Sequence, residues 1–526
     1  MKKLLCILMA VMMAACLPTF ASAEGNDKIV LTGNQDGAIA RGGTLTLAKS
    51  KGMDAGLNIA KISDCSSDFT VMGQIYEGLL TIDENGNVAP GLAVEWDFEE
   101  DGLSMVMKLR EDVSFSNGEK FNAEAVAKCL NWYISEECGH VFKGSDLNCI
   151  AGVDVVDEYT VRINLSAVDA ALTLELAASS GYIMAPSIIK NRTFDTTPIG
   201  TGPFMLAEYK EGESVTLVRN PNYYKMGADG QPLPYLDGIR YIVMKDDTTK
   251  TTNLQSGDID GVDRHASYTS VLAGQAMDGM TTYQNPVSQI YNISCNLLYE
   301  PLKDVRLRQA IAYATNPQEI IEVAMEGFGK GCPFWTDEGK WFYYDYNPYS
   351  YDVEKAKALM AEAGLADGIE LEVAIIAREP DMTVAQMVQY QLGEIGITIN
   401  INAMDSASWV AYVRNEHKEQ LSIGLTGNAG YHPAKGWVIP LKAFGDVGTG
   451  LDIVEELMSL VKESKVLTDQ DAAYENVKKF QSIILDNALA TVIGNKYEYG
   501  AIKSSVHDVR FNYYGWYEFD RAWMEQ

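Results

Sequence analysis

The sequence predicts an α/β protein of two or three lobes, one of them carrying a β-rich unit. Three observations lead there. A chain of 526 residues is longer than one hydrophobic core usually organises. Between residues 351 and 401, helix-like and strand-like patterns alternate, as in an α/β lobe. Between residues 88 and 118, short alternating runs instead follow one another through Asp-Gly and Asn-Gly pairs, the signals of antiparallel strands joined by tight turns.

The chain opens with Met1-Lys2-Lys3, an apolar run from Leu4 to Leu17, and small residues ending at Ala23. These are the three parts of a secretory signal, and the run is too short for a permanent membrane span. Cleavage after Ala23 is the preferred reading. Met13-Ala14-Ala15-Cys16 offers a rival, a lipoprotein-like box with the lipid on Cys16. Either route exports the protein to the periplasm or cell surface. Residues 24 to 40 are polar and glycine-rich and read as a disordered leader. With 42 basic against 72 acidic residues, the net charge of −30 argues against nucleic acid and anionic membrane as partners, since both demand basic patches.

In the body of the chain, Gly42 to Ala48 alternates as a strand, and Phe69, Met72, Ile75, Tyr76, Leu79 and Leu80 recur at helical spacing. A turn at Asp83 to Asn87 precedes the β-rich region, which ends in a helix capped by Asn122 and carrying Val126, Leu130 and Tyr133. Residues 150 to 166 supply two further strands. From Thr197 the chain reads Thr-Pro-Ile-Gly-Thr-Gly-Pro-Phe, where Pro198, Gly200, Gly202 and Pro203 alternate fixed and permissive φ values. A hairpin about Lys210 to Ser214 follows, stopped by Asn220-Pro221, with Asn222-Tyr223-Tyr224 as an aromatic cap. Ile239 to Lys245 is a strand and Thr248 to Ser256 a helix.

Val287 to Cys295 reads as a strand, and a helix capped by Asp304 carries Val305, Ala310 and Ile311 as its buried stripe. Another helix, over Tyr351 to Gly364, is ended by Gly364 in the position that favours a left-handed residue. Strand Ile369 to Ala377, helix Thr383 to Glu394 and strand Gly396 to Ile401 complete the α/β pattern. The helix Tyr474 to Asp486 and the strand Ala490 to Gly494 close the chain's return. After Cys6 and Cys16, six cysteines remain (Cys65, Cys129, Cys138, Cys149, Cys295 and Cys332), and the sequence leaves their pairing open. The five histidines are scattered, and the Asp258-Ile259-Asp260-Gly261 stretch is too poor in acids for a calcium loop, so no metal and no cofactor is expected. There is no Gly-x-Ser-x-Gly elbow, no His-Glu-x-x-His and no phosphate-binding loop, so no enzyme is expected either.

Five stretches together resemble the extracytoplasmic solute-binding proteins of peptide, opine and nickel ABC importers. They are Thr197 to Tyr224, Val88 to Val126, Gly257-Asp258-Ile259-Asp260, Pro301 to Ala314 and Tyr351 to Gly364. The resemblance implies a two-lobed periplasmic-binding-protein-like fold with a β-rich subdomain inserted in the first lobe. Its expected division is 41–80 and 197–286 for the first lobe, 81–196 for the insertion, 287–487 for the second lobe and 488–526 for the return. It implies a monomer that holds a peptide or peptide-like solute between its lobes and hands it to an ABC permease. The alternative is an oligosaccharide, an opine or a metal chelate in the same fold.

The resemblance also points to site residues. Arg378, in the loop Ala377-Arg378-Glu379-Pro380, matches the position of an Arg that holds the peptide carboxylate in the dipeptide-binding branch. A guanidinium suits that task because it can grip a carboxylate through two charge-assisted bonds. The same branch has a loop like Gly-Trp-x-Gly-Asp-x-x-Asp-Pro, whose first Asp takes the ligand ammonium. Here Gly424 to Pro433 has Asn428 in that place and His432 for the second Asp, so the ammonium finds no compensating charge. Trp409 and Tyr431, among the aromatics crowding the second lobe, are candidates to pack against ligand. Cys65 and Ser66 lie in the loop where the family's first lobe meets its solute. The Thr197 to Tyr224 stretch is expected to contact no ligand.

Overall fold

The computed structural model describes residues 29–30, 37–53, 56–61, 68–83, 87–138, 147–263, 267–336, 338, 340–428, 441, 444, 451–467, 469–512 and 515–525. A sheet path runs through both lobes. Its order is Ile397–Met404, Ile369–Ile376, Leu421–Asn428, Met280–Cys295, Ala490–Lys503, Gly261–Val262, Thr44–Lys49, Gly238–Val243, Ser214–Arg219 and Phe204–Lys210. The first two strands are parallel to each other, as the helix between them requires. No helix among the described residues is long and apolar enough to cross a membrane.

Separate apolar cores flank this sheet. One gathers Leu45, Phe69, Phe121, Phe204, Tyr283 and Ile502. A second holds Tyr291, Ile311, Ile375, Leu392 and Ile493, and a third Ile290, Trp335, Phe480 and Val492. Each such side chain contributes about 2 kcal/mol by leaving water. Met280–Cys295 and Ala490–Lys503 therefore cross from one core to the next, paired antiparallel from Met280 with Lys503 to Ser294 with Ala490. Their ladder breaks between Gln284 and Ser288, where Pro286 has no N–H to donate. The link between the lobes thus includes a locally unpaired stretch.

The β-rich subdomain is a four-stranded antiparallel sheet in the order Ala93–Phe98, Ser104–Leu109, Thr160–Leu165, Ile150–Asp157. Helix Ala123–Tyr133 packs beside it, and the Asn122 side chain accepts from the Ala125 N–H at 3.0 Å, as its capping role predicts. Asp304 caps helix Val305–Ala314 by accepting from the Arg306 N–H. The buried stripe of that helix is Leu307, Arg308, Ala310 and Ile311, with Val305 only half-buried. Arg308 can be buried because its guanidinium donates to the carbonyls of Leu302, Lys303 and Asn487. Gly364 has φ +77°, the left-handed value expected after helix Val353–Glu362.

Three readings of the sequence are corrected. The helical period from Phe69 to Leu80 yields a helix of only four residues, Phe69–Met72, and Leu80 starts a strand. The carbonyls of Gln74 and Ile75, which a helix would use four residues on, instead accept from Phe204 and Gly202 at 3.0 and 2.9 Å. Gly200 and Gly202 then serve by lacking a side chain. A Cβ on Gly200 would lie 2.1 Å from the Ile75 carbonyl oxygen, and neither glycine has a positive φ. Finally, Ile29–Val30, inside the stretch read as disordered leader, pairs in parallel with Thr282–Tyr283. Among the described residues, Cys129, Cys138, Cys149, Cys295 and Cys332 form no disulfide, and Cys65 lies outside them.

Candidate functional site

Arg378 stands where strand Ile369–Ile376 gives way to helix Asp381–Gly393. The carboxyl ends of parallel strands are where an α/β sheet offers its crevice. The loop is pinned locally: the Arg378 N–H donates to the Ile376 carbonyl at 2.8 Å, and the Met382 N–H donates to the Arg378 carbonyl at 3.1 Å. Glu379 is occupied by the Thr383 hydroxyl, 2.8 Å away. Asp381 instead takes the guanidinium, accepting from Arg378 Nε at 2.5 Å. The Asp381 side chain is 3% exposed while that of Arg378 is 47% exposed.

Asp381 also accepts the hydroxyl of Tyr291, a fully buried residue of the first crossing strand. A rigid relay thus runs from the crossing strand through Asp381 to Arg378. It fixes Nε and leaves the terminal nitrogens of Arg378 without a hydrogen bond among the described residues. Those two nitrogens form the edge that matches a carboxylate.

The second crossing strand adds a cation that the sequence reading did not single out. Lys496 lies opposite Gln289 of the first crossing strand and opposite Gly329 of Gly329–Lys330. Burial pulls its ammonium below the usual lysine range. The Arg378 guanidinium pulls the same way, and the carboxylates of Glu498 and Asp381 oppose it. Glu498, two residues on, accepts from the Asn285 amide at 3.4 Å. The available signal was the polar run Asn495-Lys496-Tyr497-Glu498, set inside a strand that is apolar on both sides.

Of the other expected residues, Asn428 ends strand Leu421–Asn428, and its backbone is in register with Gln289. Asn428, Gln289 and Lys496 therefore form one row across three strands, beside the Arg378 loop. Trp409 is 6% exposed, its indole N–H donates to the Ala374 carbonyl at 3.3 Å, and its ring covers Gly424. It backs the strands that carry Arg378 and Asn428, with Arg414 over its ring. Trp335 is core, stacked on Phe334 and Phe444. Tyr431, Cys65 and Ser66 lie outside the described residues.

A cavity of about 190 Å³ also occurs in the first lobe, walled by Pro203, Tyr223, Tyr224, Lys225 and Glu77. Its polar groups satisfy one another. Glu77 accepts from Tyr223, Tyr224 and Thr201 and pairs with Lys225 at 2.9 Å. The aromatic cap of the sequence reading is thus a neutralised plug.

The sequence profile of the bacterial extracellular solute-binding proteins, family 5, matches residues 87–443. The glutathione-binding protein GsiB of Salmonella typhi is 28% identical over 358 residues, 68% of this chain and 69% of that protein. Among solved structures, NikA from Brucella suis, in complex with Fe(III)-EDTA, is similar with a TM-score of 0.82 at 24% identity, over 92% of this chain and 100% of its own. DppA from Helicobacter pylori, in complex with the peptide STSA, gives a TM-score of 0.72 at 21% identity, over 93% and 99%. These two likenesses show the two-lobed fold.

Proposed function

The chain belongs to the bacterial extracellular solute-binding proteins of family 5, and from that membership we propose that it captures a peptide or peptide-like solute between its lobes and closes about the crossing strands. It is the substrate-binding component of an ABC importer, works outside the cytoplasm with a membrane permease, and is not an enzyme. The division into a first lobe (41–80, 197–286, 488–526), an insertion (81–196) and a second lobe (287–487) is our reading. The change of core along both crossing strands supports it.

The observation that carries the solute class is Arg378, held by Asp381 through Nε, with its side chain about half exposed and its terminal nitrogens without a hydrogen bond among the described residues. GsiB, by its name, binds glutathione, and DppA holds a peptide, both carriers of carboxylates. Asn428 favours the alternative of an opine, oligosaccharide or metal chelate, since an amide in place of an acid gives an ammonium no charge to meet. We read the protein as a monomer, because one chain supplies both walls of its cleft, and as no binder of nucleic acid, from its charge. Release after Ala23 is our preferred processing, with a lipid on Cys16 as the alternative that an intact mass distinguishes.

The test is the affinity of Arg378→Ala. A carboxylate-bearing solute identified by mass spectrometry from purified protein should lose tenfold or more, about 1.4 kcal/mol. Thermal-shift titration with peptides and glycans reads the same question from the other side. Stabilisation by a glycan and by no peptide, or an unchanged dissociation constant in the variant, would overturn the reading.

A further inference from the structure

We propose that the solute carries at least two acidic groups, one met by Arg378 and the second by Lys496 on the second crossing strand. The inference deepens the reading above and rests on it. Its ground is the placement of two cations without enough anion. Arg378 spends only Nε on Asp381, and the Lys496 ammonium makes no hydrogen bond or ion pair among the described residues. Yet Lys496 is half-buried in the middle of a strand paired on both sides. A surface lysine reaches water at little cost. One held between two strands, beside a guanidinium, loses hydration and gains repulsion.

The acids nearby do not cancel this. Asp381 is buried and shared between the Tyr291 hydroxyl and Arg378. Glu498 is on the same face as Lys496 by strand alternation and accepts from Asn285. It attracts the ammonium, while Arg378 repels it and burial outweighs both. Tyr497 points to the opposite face, toward Phe328 and Tyr499.

The row Asn428, Gln289, Lys496 is the other part of the argument. Adjacent strands are spaced about 4.8 Å apart, so the row spans roughly 10 Å. Its three residue types are an amide, an amide and a cation, with no carboxylate. An ammonium docked along it would face Lys496, whereas an acidic group would receive Lys496 and the amide N–H donors of Gln289. A solute with two acids turns the Arg378–Lys496 repulsion into attraction when it binds. A solute with one leaves a desolvated cation behind, the costly outcome for a closed cleft.

The experiment begins with protein purified from its host, its solute released by unfolding and identified by mass. That solute is then titrated calorimetrically into refolded wild type, Lys496→Gln and Lys496→Met. The expected solute has two or more acidic groups, and both variants lose about ten- to a hundredfold in affinity. In parallel, acid and amide pairs are compared on wild type alone, which needs no variant to fold: Ala-Glu against Ala-Gln, and glutathione against its glycine amide. The diacid of at least one pair should bind tenfold or more tightly than its amide. Should the protein emerge empty, this panel decides alone, and failure of every diacid to bind counts against the proposal. A solute with one acid, bound equally by wild type and Lys496→Gln but lost in Arg378→Ala, overturns this inference and leaves the carboxylate reading standing. A solute with no acid, bound unchanged by Arg378→Ala, overturns both.

Discussion

Glu419 carries the clearest consequence of a single buried charge. It is 2% exposed, and neither carboxyl oxygen has a hydrogen-bond partner among the described residues. Burial, helped by the Glu372 carboxylate, raises its pKa to about 8. In the unfolded chain the same group titrates near about 4.3. Between those values the folded state holds a proton that the unfolded state has lost, so stability falls as pH rises and levels off above pH 8. Glu419→Gln should therefore match wild type in thermal midpoint near pH 4 and exceed it at pH 8.5. Parallel midpoint curves for the two proteins would show that Glu419 is not a buried acid in solution. Arg308 has the opposite design. It is as buried but donates to three carbonyls, so burial is compensated within the fold and needs no proton change.

At the scale of elements, the Gly200-Thr201-Gly202 turn fastens the first lobe. A Cβ at Gly200 would meet the Ile75 carbonyl oxygen at 2.1 Å and the Tyr76 ring at 2.7 Å, and backbone cannot swing aside as a flexible side chain can. Gly200→Ala is expected to cost about 3 kcal/mol or more in a denaturation experiment. Gly331→Ala, with nothing within 4 Å of its Cβ, should cost little. A Gly200→Ala protein as stable as wild type would mean that the turn relaxes freely. The same turn explains what the sequence could and could not reveal. Caps at Asn122 and Asp304 and the stop at Gly364 were legible because each acts within about four residues of itself. The segment after Phe69 was misread because its carbonyls are claimed by Gly202 and Phe204, far along the chain, while its apolar residues are buried whatever their period. The site divides the same way. Arg378 and its partner Asp381 are three positions apart and could be read together. Lys496 acquires meaning only through its register with Gln289 and its nearness to Arg378, neither of which leaves a local pattern.

For the whole molecule, charge sets a condition on capture. The chain carries −30 overall, yet the proposed site joins Arg378 and Lys496, so on that proposal an acidic solute is repelled at long range and attracted at short range. Salt acts differently on the two. The screening length falls from about 30 Å at 0.01 M to about 8 Å at 0.15 M. That removes most of the field of a distant acidic surface but leaves contacts inside a closed cleft largely intact. The association rate of an acidic solute should therefore rise with salt over this range, while its dissociation rate changes little, the reverse of electrostatically steered binding. Stopped-flow mixing at several salt concentrations measures both rates. An association rate that falls with salt would mean that the cleft's own cations dominate the approach path and that the acidic residues lie away from its mouth. Closure enters through the dissociation rate. The solute is released only when the lobes part about Met280–Cys295 and Ala490–Lys503, so differential contact with Arg378 in the second lobe and Lys496 on the crossing strand must stabilise the closed population. Removing either cation should then speed dissociation more than it slows association.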